Sequence, residues 1–160
     1  MSLRVCMTLF ALFAATFGVA AAGCAAETED TTPKDRTAPG PTMRPGEQCL
    51  SCHRAGGQAS RIPWTAAGTV FRSATSNAED GVEGAIVEIV DSTGKTERLT
   101  TNAVGNFYTG TPLTKPLTMS VTFEGKTAKM PIPLNADGAC NACHSHPDPI
   151  GGAIGRIRIP

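Results

Sequence analysis

Two runs, CLSCH at residues 49–53 and CNACH at residues 140–144, restrict this chain more than any other feature. Each places two thiols three positions apart and an imidazole directly after the second. The three histidines of the chain are His53, His144 and His146, so every one lies in a run or two residues beyond it. Of the six cysteines, Cys49, Cys52, Cys140 and Cys143 belong to the runs, while Cys6 and Cys24 fall in and at the end of an apolar N-terminal segment. No pair is left over for a structural disulfide. The body must therefore hold together by packing and hydrogen bonds while carrying two loops of matching chemistry.

Lys and Arg (14) balance Asp and Glu (14), and no block of like charge is long enough to follow a phosphate backbone, so nucleic acid is not an expected partner. The length suits one domain. After Arg4, residues 5–22 are uncharged and mostly apolar, and they end in small residues, which reads as an export signal. A spanning helix is the alternative, although the run barely reaches membrane thickness. Residues 24–45 carry Pro, Thr, Gly and charges of both signs with little to bury, and are expected to form a flexible tether. The folded domain is then residues 46–160.

Within that domain the pattern is of short strands between turn residues. Residues 84–91 are β-branched and bounded by Gly84 and Asp91, and Ser92-Thr93-Gly94 makes a turn into 96–101. Gly105 breaks the chain before Phe107-Tyr108. In residues 117–123 Leu117, Met119, Val121 and Phe123 share one face at period two, as in a half-buried strand. Glu124-Gly125 turns into 126–132, and 153–159 alternate Ile157 and Ile159 with Arg156 and Arg158. No stretch has helical periodicity. The expectation is a mainly β fold, a seven-strand Greek-key-like sandwich with the two CxxCH loops before its first and last strands. If every connection reverses direction, those two strands run parallel and both loops sit at one end of the sandwich.

Three segments, Gly68-Thr69-Val70-Phe71, Val82 to Val87 and Thr101 to Phe107, resemble the carboxypeptidase regulatory-like (transthyretin-like) β-sandwich family over roughly residues 66–133. Val104 stands where that family usually has an acidic residue, but Gly105 still supplies the left-handed backbone the turn needs. The resemblance implies an accessory or adhesive module. Residues 21–24, Ala-Ala-Gly-Cys, resemble the lipobox of bacterial lipoproteins, which implies acylation of Cys24 after removal of residues 1–23. Each buried methylene of such chains adds about 0.8 kcal/mol of membrane attachment. Ala25 lacks the acidic residue that, by the same resemblance, goes with inner-membrane retention, so an outer-membrane lipoprotein facing the periplasm or the cell surface is expected. An ordinary signal peptidase acting at Ala20-Ala21-Ala22 remains the alternative.

Cys-x-x-Cys-His is the attachment signature of c-type haem, and the spacing has a chemical reason. Two thiols three apart can bond two vinyl groups on one porphyrin edge, and the next residue brings its imidazole to the iron. Two such runs in an exported chain resemble a dihaem c-type cytochrome. That resemblance implies two covalent haems, with Cys49 and Cys52 or Cys140 and Cys143 as thioether donors and His53 and His144 as proximal iron ligands. Electron exchange with other redox proteins follows. Other readings stay open: one zinc held by the four motif cysteines, disulfides or a redox dithiol in an adhesive β-sandwich, or a haem-based small-ligand sensor. For the distal positions His146, Met130 and Met43 are candidates, the last two against plain packing or tether surface, and Met119 reads as core. An open iron is equally allowed. Arg54, Arg61, Arg156 and Arg158 could pair with propionates, and Trp64 and Phe71 could cover a porphyrin or simply pack.

Overall fold

The structure, a computed structural model, describes residues 38–160. The export segment 1–23, Cys24 and the proposed tether up to residue 37 lie outside the described residues. Among the described residues no helix is long and apolar enough to cross a membrane.

Strands dominate, in the order β1 (Ala66–Thr69), β2 (Ile86–Val90), β3 (Thr96–Thr100), β4 (Asn106–Thr109), β5 (Thr118–Phe123), β6 (Lys126–Lys129) and β7 (Gly138–Ala139). They form a four-stranded sheet, β3-β2-β5-β6, and a three-stranded sheet, β4-β1-β7. The β2 alternation buries Val87 and Ile89, which stand opposite Val121 and Met119 of antiparallel β5. Glu124 and Gly125, both at positive φ, close the tight β5–β6 turn. Ala66, Val70 and Phe107 from the three-stranded side share one core with Val87, Ile89 and Val121 from the other sheet.

β1 is buried along its whole length because both its faces are covered. One face carries Ala66 and Gly68 into the core, and a Cβ on Gly68 would stand 2.8 Å from the Phe107 ring and 2.9 Å from Cys140 Cβ. The other face carries Ala67 and Thr69 beneath the chain that leads into the first motif. There Gly46 N donates to Thr69 Oγ1 (2.9 Å), and Asn106 Nδ2 donates to Met43 O (2.9 Å). Asn102 Nδ2 adds a bond to Pro41 O, so the hydrogen-bonded body reaches back to Pro41, ahead of the boundary drawn at residue 46.

The C-terminus departs from expectation. Residues 153–159 do not form a strand; they meet the body at one parallel bridge between Phe71 and Arg158. Gly155 is at φ 110, and next to it Arg156 N donates to Ala74 O, so beyond the bridge the segment bonds to a turn and not to a strand. The Ile/Arg alternation persists without a ladder, for Ile157 and Ile159 pack on the core while Arg158 is exposed. The last strand is β7, which runs parallel to β1. The second CxxCH loop therefore follows the last strand instead of preceding it.

Candidate functional site

The first motif is a tight turn. Cys49–Ser51 form one 3-10 turn anchored by buried Leu50, and His53 N donates to Cys49 O (3.0 Å). His53 is 7% exposed, and its Nδ1 lies 2.9 Å from Ile62 O. A carbonyl can only accept, so Nδ1 carries the proton and the lone pair stays on Nε2. That Nε2 is buried with no hydrogen-bond partner. The imidazole plane is fixed by Trp64, stacked on it at 3.5 Å between centroids and 5° between planes. Trp64 N also donates to His53 O (2.9 Å), so backbone and ring hold the two residues together.

The second motif folds by the same rules from a different sequence. Cys140–Cys143 make a single helical turn, α1, and His144 N donates to Cys140 O (3.0 Å). His144 Nδ1 lies 2.9 Å from Gly155 O, which again leaves Nε2 as the free ring nitrogen. Asn141, buried between the two Cys, joins this turn to the rest of the site. Its Oδ1 accepts from Thr69 N (3.1 Å) and its Nδ2 donates to Glu47 O (2.9 Å), two residues before Cys49. Both motifs are thereby tied to the same strand, β1.

The four sulfurs are free thiols and are not equivalent. Cys49, Cys52 and Cys143 are half-buried. Cys140 sits in the core with its Sγ 3.8 Å from Met119 Sδ, and burial pushes its thiol up to about 12. Burial also raises the Cys49 thiol, with Glu47 adding to it. Among the described residues no three His, Cys, Asp or Glu side chains converge as a metal site.

Apolar and charged side chains meet beside both motifs. An open cleft beside the first has Leu50, Trp64, Leu113 and Leu117 on its walls, with Arg54, Lys115 and the carboxylate of Asp137 also lining it. Arg156, adjacent to the Gly155 that holds His144, lies over the Phe71 ring (4.3 Å to the centroid) and donates from Nε to Ser76 O (2.8 Å). Its Nη1 is buried without a partner, and burial lowers its pKa from the usual guanidinium value. Among the described residues, His53 Nε2 and Arg156 Nη1 are the two buried side-chain nitrogens or oxygens left unpaired. One is an imidazole nitrogen with its lone pair free and the other a cationic donor. Ile62, Ile150 and Ile154, in the loops that return to the two histidines, are 63, 59 and 70% exposed.

The other candidates are spread more widely. His146 is exposed. Met130 is half-buried just after β6, its N donating to Met119 O, and Met43 is half-buried beside Asn106. Met119 packs against the core. Arg54, Arg61 and Arg158 are exposed, and Phe71 is fully buried beneath Arg156. Sequence reading missed Ile62 and Gly155, which act through main-chain oxygens and so leave no side-chain signal. It also missed Asn141, hidden as a variable position inside the motif, and the stack of Tyr108 on Trp64 (4.3 Å, 10°). Compared with protein-family models, with curated proteins and with solved structures, the chain matches none.

Proposed function

We propose that this chain is an exported, lipid-anchored dihaem c-type cytochrome that carries electrons in the cell envelope. One observation carries the reading: in both CxxCH turns the imidazole Nδ1 is held 2.9 Å from a main-chain carbonyl, so that each ring keeps Nε2 for another partner. Histidines that ligate metals are oriented in this way, because the outer hydrogen bond fixes tautomer and ring plane and raises ligand basicity. The His53 Nε2, buried and unpaired, would otherwise cost about 1–3 kcal/mol of lost hydration.

The residues fit the group. Cys49 and Cys52, and Cys140 and Cys143, would hold one haem each by thioether bonds, and His53 and His144 would ligate the irons. Arg156 would offer its unpaired Nη1 to a propionate, and Arg54 and Lys115 line the cleft where another would be met. A covalent haem supplies a reversible one-electron couple, its potential set by ligands and burial. The chain's own task is to hold the imidazoles, exclude water from the ring edges and set the spacing of the two sites. The body that does this is, in our reading, a seven-strand Greek-key-like sandwich resembling the carboxypeptidase regulatory-like family. Acylation of Cys24 would hold it at the outer membrane, where other redox proteins are its partners.

Protein made together with the c-type maturation machinery tests this. A denaturing gel stained for haem, an absorption spectrum with sharp reduced bands, and an intact mass raised by two haems are the expected results. Free thiols, cystine or bound zinc at Cys49, Cys52, Cys140 and Cys143 would overturn the reading.

A further inference from the structure

Three rings stand face to face from the interior to the surface. His53 stacks on Trp64 at 3.5 Å and 5°, and Trp64 stacks on Tyr108 at 4.3 Å and 10°. The imidazole is buried, Trp64 is half-buried, and Tyr108 is 37% exposed. Tyr108 is the outward residue of β4, paired with Ala67 of β1, while its neighbours on that strand are buried. Trp64 comes directly before β1 and is pinned to His53 through the main chain. The stack is thus set by sheet register at one end and by the motif turn at the other.

We propose that His53, Trp64 and Tyr108 form the electronic contact between the haem of the first motif and the protein surface, with Tyr108 as the outlet. The inference rests on the reading of the motifs as haem sites. Packing alone explains a half-buried Trp, but it does not require three parallel rings stacked in series. Electronic coupling falls steeply across gaps and less steeply through atoms in contact, and this series has π-contact at every step. With haem bound, one electron would pass between it and a one-electron acceptor or donor at the surface, one side being oxidised as the other is reduced. No bond is made or broken. No proton moves either, because Nδ1–H of His53 stays on Ile62 O.

The test uses matured, haem-loaded protein. In Tyr108→His a photo-excitable ruthenium complex is coordinated at position 108, and in a control the same probe sits at Ile132→His, an exposed site outside the stack. Flash oxidation of the ruthenium draws one electron from the reduced protein, and the rate is read from the haem bands. Adding Trp64→Leu is expected to slow transfer to the probe at 108 by about an order of magnitude and to leave the probe at 132 unchanged. Trp64→Phe, which keeps a ring and more of the packing, should fall between. An unchanged rate at 108, or equal losses at both probes, overturns the inference. A second readout needs no haem. Trp64 is the sole tryptophan, so acrylamide quenching of its emission in the full chain made without maturation reports its cover directly. Tyr108→Leu is expected to raise the quenching constant about twofold by removing a stacking neighbour. No change would mean that the rings are not stacked in solution and would also overturn it. A negative haem stain, in contrast, overturns the proposed function itself and the inference with it.

Discussion

At the scale of single residues, the two cysteines of the second motif have opposite surroundings. Cys140 is packed between Gly68, Phe107 and Met119, while Cys143 is half-buried beside the loop that carries Gly151. The thiolate is the reactive form, and a thiol held at about 12 is ionised in only roughly one molecule in ten thousand at pH 8. Cys140 should therefore resist iodoacetamide in the folded haem-free chain. Mass spectrometry after a pulse at pH 8 is expected to find Cys52 and Cys143 alkylated about tenfold or more ahead of Cys140. Met119→Ala, which opens a space over the sulfur, should narrow that difference. Equal labelling of all four would contradict the burial.

At the scale of elements, the β2–β3 turn is organised by one carboxylate. Asp91 Oδ1 accepts from Thr93 Oγ1 (2.6 Å), Thr93 N (2.8 Å) and Lys95 N (3.0 Å), and its Oδ2 accepts from Thr114 N (3.0 Å). These donors, the Thr93 hydroxyl foremost, lower its pKa from 3.8 to about 2. The folded state therefore favours the ionised form, and the stabilisation is complete above the unfolded value and is lost as pH falls from near 4 towards 2. Asp91→Asn puts an amide where Thr114 N–H needs an acceptor. Thermal melts should show a transition several degrees lower at pH 7 and a weaker dependence on pH between 4 and 2; an unaltered acid limb would refute the role. Asp91 also shows what the sequence discloses. Its turn, the Glu124-Gly125 turn and the alternation around Met119 and Val121 are local patterns and could be read directly. β1 could be reached only through the resemblance carried by Gly68-Thr69-Val70-Phe71, because Ala66-Ala67-Gly68-Thr69 is buried on both faces and has no alternation to detect. The C-terminal Ile/Arg alternation reads as a strand because burial follows side chains, whereas a ladder needs a partner strand, and this segment meets only Phe71 at one bridge and the turn at Ala74. The cysteines and motif histidines announced themselves. Their orientation did not, since it depends on carbonyls nine and eleven residues further along.

At the scale of the whole molecule, the economy is in large side chains: aromatic residues are 5% of the chain, and the core is built largely from Ala, Val, Ile and Leu. Yet Ile62, Ile150 and Ile154 are left in water beside the two motifs. A lone exposed isoleucine is ordinary, but three in the two loops that lead on from the motif histidines make those loops the place to look for a cover. If two porphyrins supply the cover, the uncovered chain should differ from the matured one in those loops and nowhere else. Hydrogen exchange followed by mass spectrometry checks this. Amides of residues 54–63 and 145–155 are expected to exchange several-fold faster without haem, while those of β2 and β5, whose partners are strands, keep their protection. Binding of an environment-sensitive dye such as anilinonaphthalene sulfonate should fall on maturation in the same comparison. Loops equally protected in both states would mean that the isoleucines are sheltered by another route, and the apolar residues would then cease to count in favour of the haem reading. Uniform loss of protection, β2 and β5 included, would instead make the porphyrins part of the folding core, because a body with so few large side chains would then need theirs to close at all.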